Sequence, residues 1–412
     1  MKKILLFAIS SVVLSGSMMS CSDDDNDNNS IVLDGKCTMI PVTSNDLDII
    51  ENNNKFAFNL LKAVNEKSVD NSRLVMSPMS VSMSLSMLAN GAEGDTYTEI
   101  ADALGCSGFS IEEMNALNTK LIDNLPVVDK AAKVTIANSL WLDNDFVAED
   151  AFAEEISSSY YAGIFSCDFA DSKTLDAINR WCSNATNGKI SNFLRQLHSE
   201  TRMLLVNTLY FKAPWTTTFK NEFVGKFTAE DGSLQDVKYM NGTVDARCYS
   251  HDKFYTAEFS YANNAYNYTI VLPEEGVSVD ECIDELAAGG LCNGSLSFVG
   301  MSNMTLTMPV YEMEFKMMAK ESLEALGIKK AFDSSVGLPA IGKGVVLGDV
   351  VHVCNFKVDK NGTEAAAATA AIMYDSSLPN FKSELVVDRP FLFFVKEVST
   401  GAILFIGKVG KI

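Results

Sequence analysis

Histidine, tryptophan and proline are scarce in this 412-residue chain, at three, three and nine. His198, His251 and His352 stand far apart, and none belongs to an HExxH zinc motif. No GxSxG nucleophile elbow and no phosphate-binding loop occurs, and Gly342-Lys343-Gly344 reads as a turn. An enzyme is therefore not expected. Positive charge is also short: 33 Lys and Arg face 53 Asp and Glu, for a formal net charge of −20. Phosphate backbones and anionic lipid would both be repelled, which argues against nucleic acid and against direct adsorption to a membrane. The acidity serves solubility, or the steering of a basic partner. No two cysteines have CxxC spacing and no Cys/His cluster has zinc-ligand spacing, so no metal and no cofactor is expected. Beyond Cys21, the eight cysteines (Cys37, Cys106, Cys167, Cys182, Cys248, Cys282, Cys292 and Cys354) read mainly as small buried hydrophobes. After the first residues no apolar run is long enough to span a bilayer.

The N-terminus does carry a pattern. Lys2 and Lys3 precede an apolar run to Leu14, then small residues, then Cys21, the order of a secretory signal. Ser20-Cys21 resembles the end of a lipobox, with Met18 where Leu is commoner, and Ser22-Asp23-Asp24-Asp25 resembles the acidic signal that sends bacterial lipoproteins to the cell surface. The expectation is a signal peptide over 1–21, lipid attachment at Cys21, and export to the outer membrane with display at the surface. Membrane contact would be through the lipid alone. Residues 22–45, rich in Asn and Asp, read as a tether, and 46–412 as the folded domain.

Within that domain, apolar residues recur at helical spacing from Ile49 to Val64. Further helices are expected over Met79–Leu88, Glu112–Leu125, Ala148–Tyr161, Thr174–Ala185, Val279–Leu291 and Met318–Leu326. Strands are expected over Val134–Leu142, Met203–Lys212, Met304–Tyr311, Val350–Val358, Leu385–Val387, Phe391–Val395 and Ala402–Ile406, with more strand-like stretches between Thr228 and Leu272. Helices first and strands after give an α+β fold, one domain without repeats. One segment breaks the pattern. After Gly362-Thr363-Glu364 comes Ala365-Ala366-Ala367-Ala368-Thr369-Ala370-Ala371, helical by propensity yet lacking large apolar residues to pack. A long, weakly packed segment inside a domain points to function or disorder.

This segment resembles the hinge of inhibitory serpins, and Asp388-Arg389-Pro390-Phe391-Leu392-Phe393-Phe394 resembles the stretch that follows the reactive loop in that family. The likeness extends to Val75–Gly91 with Ser77 to Ser80, Asn138-Ser139-Leu140-Trp141, Ile178-Asn179-Arg180-Trp181 with Thr186–Ile190, Leu205–Lys212 with Trp215, Ile270–Pro273, and Gly401–Gly407, about residues 47 to 410 in all. The resemblance implies a serpin-like domain with a large central sheet, further sheets, about eight or nine helices and an exposed reactive loop. It implies a suicide inhibitor of serine endopeptidases, with cysteine endopeptidases as a second class. The protease attacks a bait bond and forms an acyl-enzyme, and the cut loop inserts into the central sheet before water releases it. Serpin loop insertion is a standard example of such a switch.

The residues suit that mechanism. From Thr363, one face of an inserted strand would carry Thr363, Ala365, Ala367, Thr369 and Ala371, all small. Gly362 is permissive where the chain bends, and the fourteen steps to Ser376 reach roughly 50 Å. The resemblance places the bait bond at Ser376-Ser377, which suits elastase-like or subtilisin-like targets. A competing register after Tyr374 or Met373 would suit chymotrypsin-like or cathepsin-like ones. No Lys or Arg lies between Gly362 and Ser377, so a trypsin-like target lacks an anchor. The resemblance assigns Ser77, Ser80, Asn207 and His352 to a shutter, with His352 hydrogen-bonded across strands that must part, and Trp215 to the breach where the loop enters. Read alone, His352 is a paired core histidine and Trp215 a core aromatic. Lys360 stands where the family commonly has Glu; either an ion pair is lost or its partner has changed too. A monomer is expected. The alternative is a serpin-fold binding protein that does not inhibit, against which the all-small hinge face argues.

Overall fold

The structure is a computed structural model that describes residues 33–191, 193–198, 200–289, 291, 298–363 and 382–412. Cys21, the hinge residues Glu364, Ala365, Ala366, Ala367, Ala368 and Thr369, the bait-bond candidates Met373, Tyr374, Ser376 and Ser377, and Cys292 lie outside them.

Helix α1 (Ser44–Lys67) starts at a reciprocal cap in which the Thr43 hydroxyl accepts from the Asp46 N–H and the Asp46 carboxylate accepts from the Thr43 N–H. Strand β1 (Arg73–Met76) leads into α2 (Pro78–Ala89), capped by Ser77 with Pro78 in its first turn and buried all round. Then follow α3 (Gly94–Ala103), α4 (Ile111–Asn124), β2 (Lys133–Asp143), α5 (Asp150–Ser159), β3 (Gly163–Cys167) and α6 (Ser172–Ala185). The strand-rich half runs β4 (Met203–Pro214), β5 (Asn221–Thr228), β6 (Leu234–Ser250), β7 (Phe254–Tyr261) and β8 (Tyr266–Pro273). After α7 (Val279–Ala287) come β9 (Val299–Pro309), β10 (Tyr311–Met318), α8 (Lys320–Ala325) and β11 (Asp349–Val358). The chain closes with β12 (Gly362–Thr363), β13 (Glu384–Val386), β14 (Phe391–Glu397) and β15 (Ile403–Val409).

These strands form two sheets. A nine-stranded sheet runs β1-β15-β14-β8-β7-β6-β9-β13, with β5 also on β6; a six-stranded sheet runs β10-β11-β4-β2-β3, with β12 on the top of β4. The six-stranded sheet separates two apolar clusters. The larger lies between the sheets and around α1, α2 and α4, and takes Leu205, Leu209, Phe211 and Ala213 from β4. The smaller lies under α6, where Ile178 and Cys182 pack on Trp141, Leu204, Val206, Val351 and Val353. Alternate residues of β4 therefore face opposite cores, as strand geometry requires.

Two expectations are corrected. The tether does not extend to residue 45: the Gly35 N–H donates to Asn263 Oδ1, the Thr38 N–H to the Val128 carbonyl and the Ile40 N–H to Ser399 Oγ, and Ile40 is buried. The polar composition concealed these backbone contacts. The C-terminal helix is only Lys320–Ala325, because Met318 ends β10. Helix α3, of which only Thr96, Ile100 and Ala101 are buried, was not anticipated. Neither was strand β10, although Tyr311, Met313, Phe315 and Met317 alternate with Glu312, Glu314 and Lys316 as a half-buried strand does. The described cysteines carry no disulfide, and Cys106, Cys182, Cys248, Cys282 and Cys354 are buried. Burial pushes the Cys106 and Cys182 thiols up to about 12, so they remain protonated and inert. No helix among the described residues is long and apolar enough to cross a membrane.

Candidate functional site

Strand β4 has two unequal edges. On one side it pairs with β2 along almost its whole length, from Lys133–Lys212 to Leu142–Met203. On the other it meets β11 only at its start, where Asp349–His352 lie parallel to Leu204–Asn207. Beyond Asn207, no described strand pairs with this edge until Ala213 and Pro214 meet Thr363 and Gly362. A narrow crevice lies between, walled by Leu209, Tyr210 and Phe211 of β4 and Asn355 and Lys357 of β11, with Thr363 above and residues 186–190 beyond α6 alongside.

The top of this gap is firmly built. A tight hairpin joins β11 to β12 through reciprocal bonds between Asp359 and Gly362. Gly362 has φ +142°, and a Cβ there would sit 2.2 Å from the Ala213 carbonyl oxygen, so only glycine fits. The Trp215 indole N–H donates to the Asp359 carbonyl at 2.8 Å, and its backbone N–H to the Asn361 carbonyl at 3.0 Å. The Trp215 ring stacks on Tyr261 at 4.2 Å. Lys360, half exposed, reaches Glu222 Oε2 at 3.2 Å. Lys360 thus has a carboxylate partner in this chain. An exposed pair of this kind contributes about 0.5 kcal/mol.

Below the gap, the orientations of buried amides follow from one carbonyl. Asn138 Nδ2 donates to the Tyr160 carbonyl at 2.9 Å, which turns Asn138 Oδ1 toward β4, where it accepts from Asn207 Nδ2. Asn207 Oδ1 then has no hydrogen-bond partner among the described residues. The register partner of Asn207 on β11 is His352. Its Nε2 accepts from the Ser77 N–H at 2.9 Å, so in the neutral ring the proton sits on Nδ1, which also lacks a described partner. Burial holds the His352 imidazole down to about 4. Ser80 donates its N–H to Ser77 Oγ, and its own hydroxyl oxygen is unpaired among the described residues. Ser77, Ser80, Asn207 and His352 thus come together, but His352 does not bond across the β4–β11 boundary as expected. It bonds to the start of α2 instead, because the N-terminal N–H groups of that helix need acceptors.

Asn138, Tyr160 and Tyr261 were not singled out as site residues. Asn138 enters the sequence analysis only within the stretch Asn138–Trp141, and the two tyrosines do not enter it. Their hydrogen bonds depend on partners more than twenty residues away, which no local pattern displays.

Comparison with known proteins places this architecture. A profile of the serpin (serine protease inhibitor) family matches residues 51–412. The chain belongs to the serpin family. Iripin-2 of Ixodes ricinus is 28% identical over 87% of this chain and 92% of its own length. Serpin-Z10 of Arabidopsis thaliana is 28% identical over 87% and 97%. Among solved structures, the thermophilic serpin tengpin in its native state superposes with a TM-score of 0.79 at 30% identity, over 91% of this chain and 96% of that one. Human thyroxine-binding globulin shares the fold at 24% identity and a TM-score of 0.77. Serpins are in general protease inhibitors rather than enzymes. In this serpin, the β4–β11 gap and the hinge above it are the candidate site.

Proposed function

We propose that this serpin is a suicide inhibitor of serine endopeptidases, with cysteine endopeptidases as a second class, acting by inserting its cleaved loop between β4 and β11. The observation that carries the proposal is the register around the gap. At the bottom, His352 lies opposite Asn207; at the top, Gly362 pairs with both Asp359 and Pro214. Both ends give an offset of 145 between β11 and β4 (352 against 207, 359 against 214). The two strands need only separate, without sliding, to admit a strand that continues from Thr363.

Continued on this register, residues 365, 367, 369 and 371 would fall on the face of Phe211, Leu209, Asn207 and Leu205. Ala365, Ala367, Thr369 and Ala371 are small enough to enter beside that core. Thr369 would come between Asn207 and His352 and offer a hydroxyl where Asn207 Oδ1 and His352 Nδ1 lack partners. Leaving buried polar groups unpaired costs about 1–3 kcal/mol each, so satisfying them would favour insertion. The bait bond is proposed at Ser376-Ser377, favouring elastase-like or subtilisin-like targets. Cleavage after Tyr374 or Met373, and so a chymotrypsin-like or cathepsin-like target, is the competing outcome.

The test is to mix the purified protein with elastase-like, subtilisin-like and chymotrypsin-like proteases and look for an SDS-stable complex. The mass of the released C-terminal fragment assigns the bond: a start at Ser377 supports the first register, a start at Asp375 or Tyr374 the second. In Thr363→Arg, complex yield should collapse while loop cleavage continues, because a guanidinium would be buried opposite Ala213. Undiminished yield in that variant rules insertion out. Cleavage of the native protein by every protease without a complex would support a non-inhibitory binding role.

The N-terminal reading is likewise a proposal: lipid attachment at Cys21, anchoring to the outer membrane and display at the surface. Acyl chains contribute about 0.8 kcal/mol per buried methylene, so two or three anchor stably. A Cys21→Ala variant should lose membrane association, and protease added to intact cells should strip the native protein. Retention of Cys21→Ala in the membrane sinks the anchor, and resistance of intact cells to the protease sinks the display.

A further inference from the structure

The hinge does not merely border the gap; its second residue is already fastened inside it. Thr363 is 1% exposed and lies opposite Ala213. Its hydroxyl is 2.8 Å from the phenol oxygen of Tyr261, which is itself completely buried. Tyr261 is held by aromatic contacts on several sides: stacked on Trp215, edge-on to Phe211 at 5.2 Å and edge-on to Tyr268 at 6.3 Å. It can therefore neither swing away nor exchange its partner for water. Burial raises the phenol well above its usual range, so it remains a neutral hydrogen-bonding group. Two anchors thus hold the hinge: Trp215 grips the backbone of the 359–361 turn, and Tyr261 grips the first side chain past it.

We infer that Tyr261 is a positioning residue for loop insertion, a latch that seats Thr363 on β4 so that strand addition begins from a formed pair. The inference rests on the insertion reading above and names the residue that sets its starting point. Nucleating a new strand is slow because the first pair must order the chain before later pairs reward it. A latch that forms this pair in advance shifts the race between insertion and deacylation toward insertion. It would leave the encounter with the protease unaffected, since Tyr261 is buried.

The test uses Tyr261→Phe, which keeps the ring packing and removes only the hydroxyl, together with Thr363→Val, Thr363→Ser and the double variant Tyr261→Phe/Thr363→Val. The first readout, hydrogen exchange, needs no protease. The Gly362 N–H, bonded to Asp359, and the Trp215 N–H, bonded to Asn361, report whether the hinge is seated. Tyr261→Phe should speed their exchange about tenfold. Thr363→Val should do the same, Thr363→Ser should stay near the native rate, and the double variant should be no worse than either single. The second readout is the ratio of covalent complex to cleaved inhibitor, expected to fall about threefold in Tyr261→Phe with the rate of protease association unchanged. Unchanged exchange in Tyr261→Phe overturns the latch, as does a Tyr261→Phe effect that persists in full when Thr363 is Val. If the native protein forms no complex with any protease while exchange responds as stated, the inhibitory reading fails and the latch stands.

Discussion

The two edges of β4 are made of the same strand and behave as opposites. Toward β2 the pairing is continuous, and a buried amide bridge from Asn207 through Asn138 to the Tyr160 carbonyl ties it down. Toward β11 the pairing is four residues long, and the side chains that face each other there, Asn207 and His352, present an acceptor and a donor that do not meet. The bridge strengthens one edge and leaves the Asn207 acceptor turned toward the other, where no described residue meets it. A sheet built this way has a defined place to part, and the hinge stands above that place.

The most drastic way to break the comparison is to make the weak edge covalent. Val206 and Val351 are register partners and both face the α6 side. A Val206→Cys/Val351→Cys disulfide, in a Cys182→Ser background because Cys182 shares that cluster, should abolish complex formation while leaving loop cleavage intact. Reductant should restore the complex. Full complex yield from the oxidised protein would mean that β4 and β11 need not separate.

Next in size is loss of the strong edge's bridge. Asn138→Leu keeps the volume but leaves the Tyr160 carbonyl and Asn207 Nδ2 unpaired, at about 1–3 kcal/mol each. Urea unfolding should show a stability loss of roughly 2–4 kcal/mol with an unchanged slope. A loss under about 1 kcal/mol would show that the bridge does not distinguish the two edges.

The weak edge also carries two groups whose titrations oppose each other. His352, held down to about 4, is neutral in the fold, so its contribution is complete above pH 6.5 and is lost as pH falls from there toward 4. Asp349 is raised to about 6 by burial, against the N–H groups of Lys320 and Val350 that donate to it. Its fold favours the protonated form, so its contribution is present at low pH and is lost as pH rises through 6. Between pH 4 and 6 the two slopes largely cancel. Asp349→Asn keeps the acceptor oxygen and removes the titration, so stability should fall more steeply with acid than in the native protein, by up to about 1.4 kcal/mol per pH unit. Equal slopes in the two proteins would show that Asp349 is not held neutral.

Much of this was legible in the sequence. The α+β class, the buried α2, strands β2, β4 and β11, and the small-residue face beginning at Thr363 all follow from periodicity, composition and family likeness, which act locally along the chain. The unequal edges of β4 do not, since they depend on register between strands far apart in sequence. His352 shows the limit well: its burial could be read from Val350–Phe356, but its partner, the Ser77 N–H, is set by where α2 begins in space. Lys360 shows another, since its partner Glu222 on β5 is 138 positions away.

The smallest expected effect sharpens the register itself. If the strand continues from Thr363, Glu364 would lie between Lys212 of β4 and Lys357 of β11, since the pairs Gly362–Pro214 and Asp359–Gly362 fix both alignments. All three side chains would point to the α6 side, the side of Leu204, Val206, Val351 and Val353. Glu364 is the single charged residue between Gly362 and Tyr374, and it would meet the cation of each neighbouring strand. Lys357 is part-exposed and 3.7 Å from Asp359, so its contribution is screened. Reversing it should cost insertion about 1 kcal/mol. Lys357→Glu should therefore lower the ratio of complex to cleaved inhibitor about fivefold in dilute buffer and less at 1 M salt, where the Debye length is about 3 Å. In a Glu364→Gln background the same reversal should leave the ratio nearly unchanged, because the strand then carries no charge there for residue 357 to meet. A ratio that Lys357→Glu leaves unchanged, or that it lowers equally in the Glu364→Gln background, would mean that the inserting strand does not keep the register of Gly362 and Thr363.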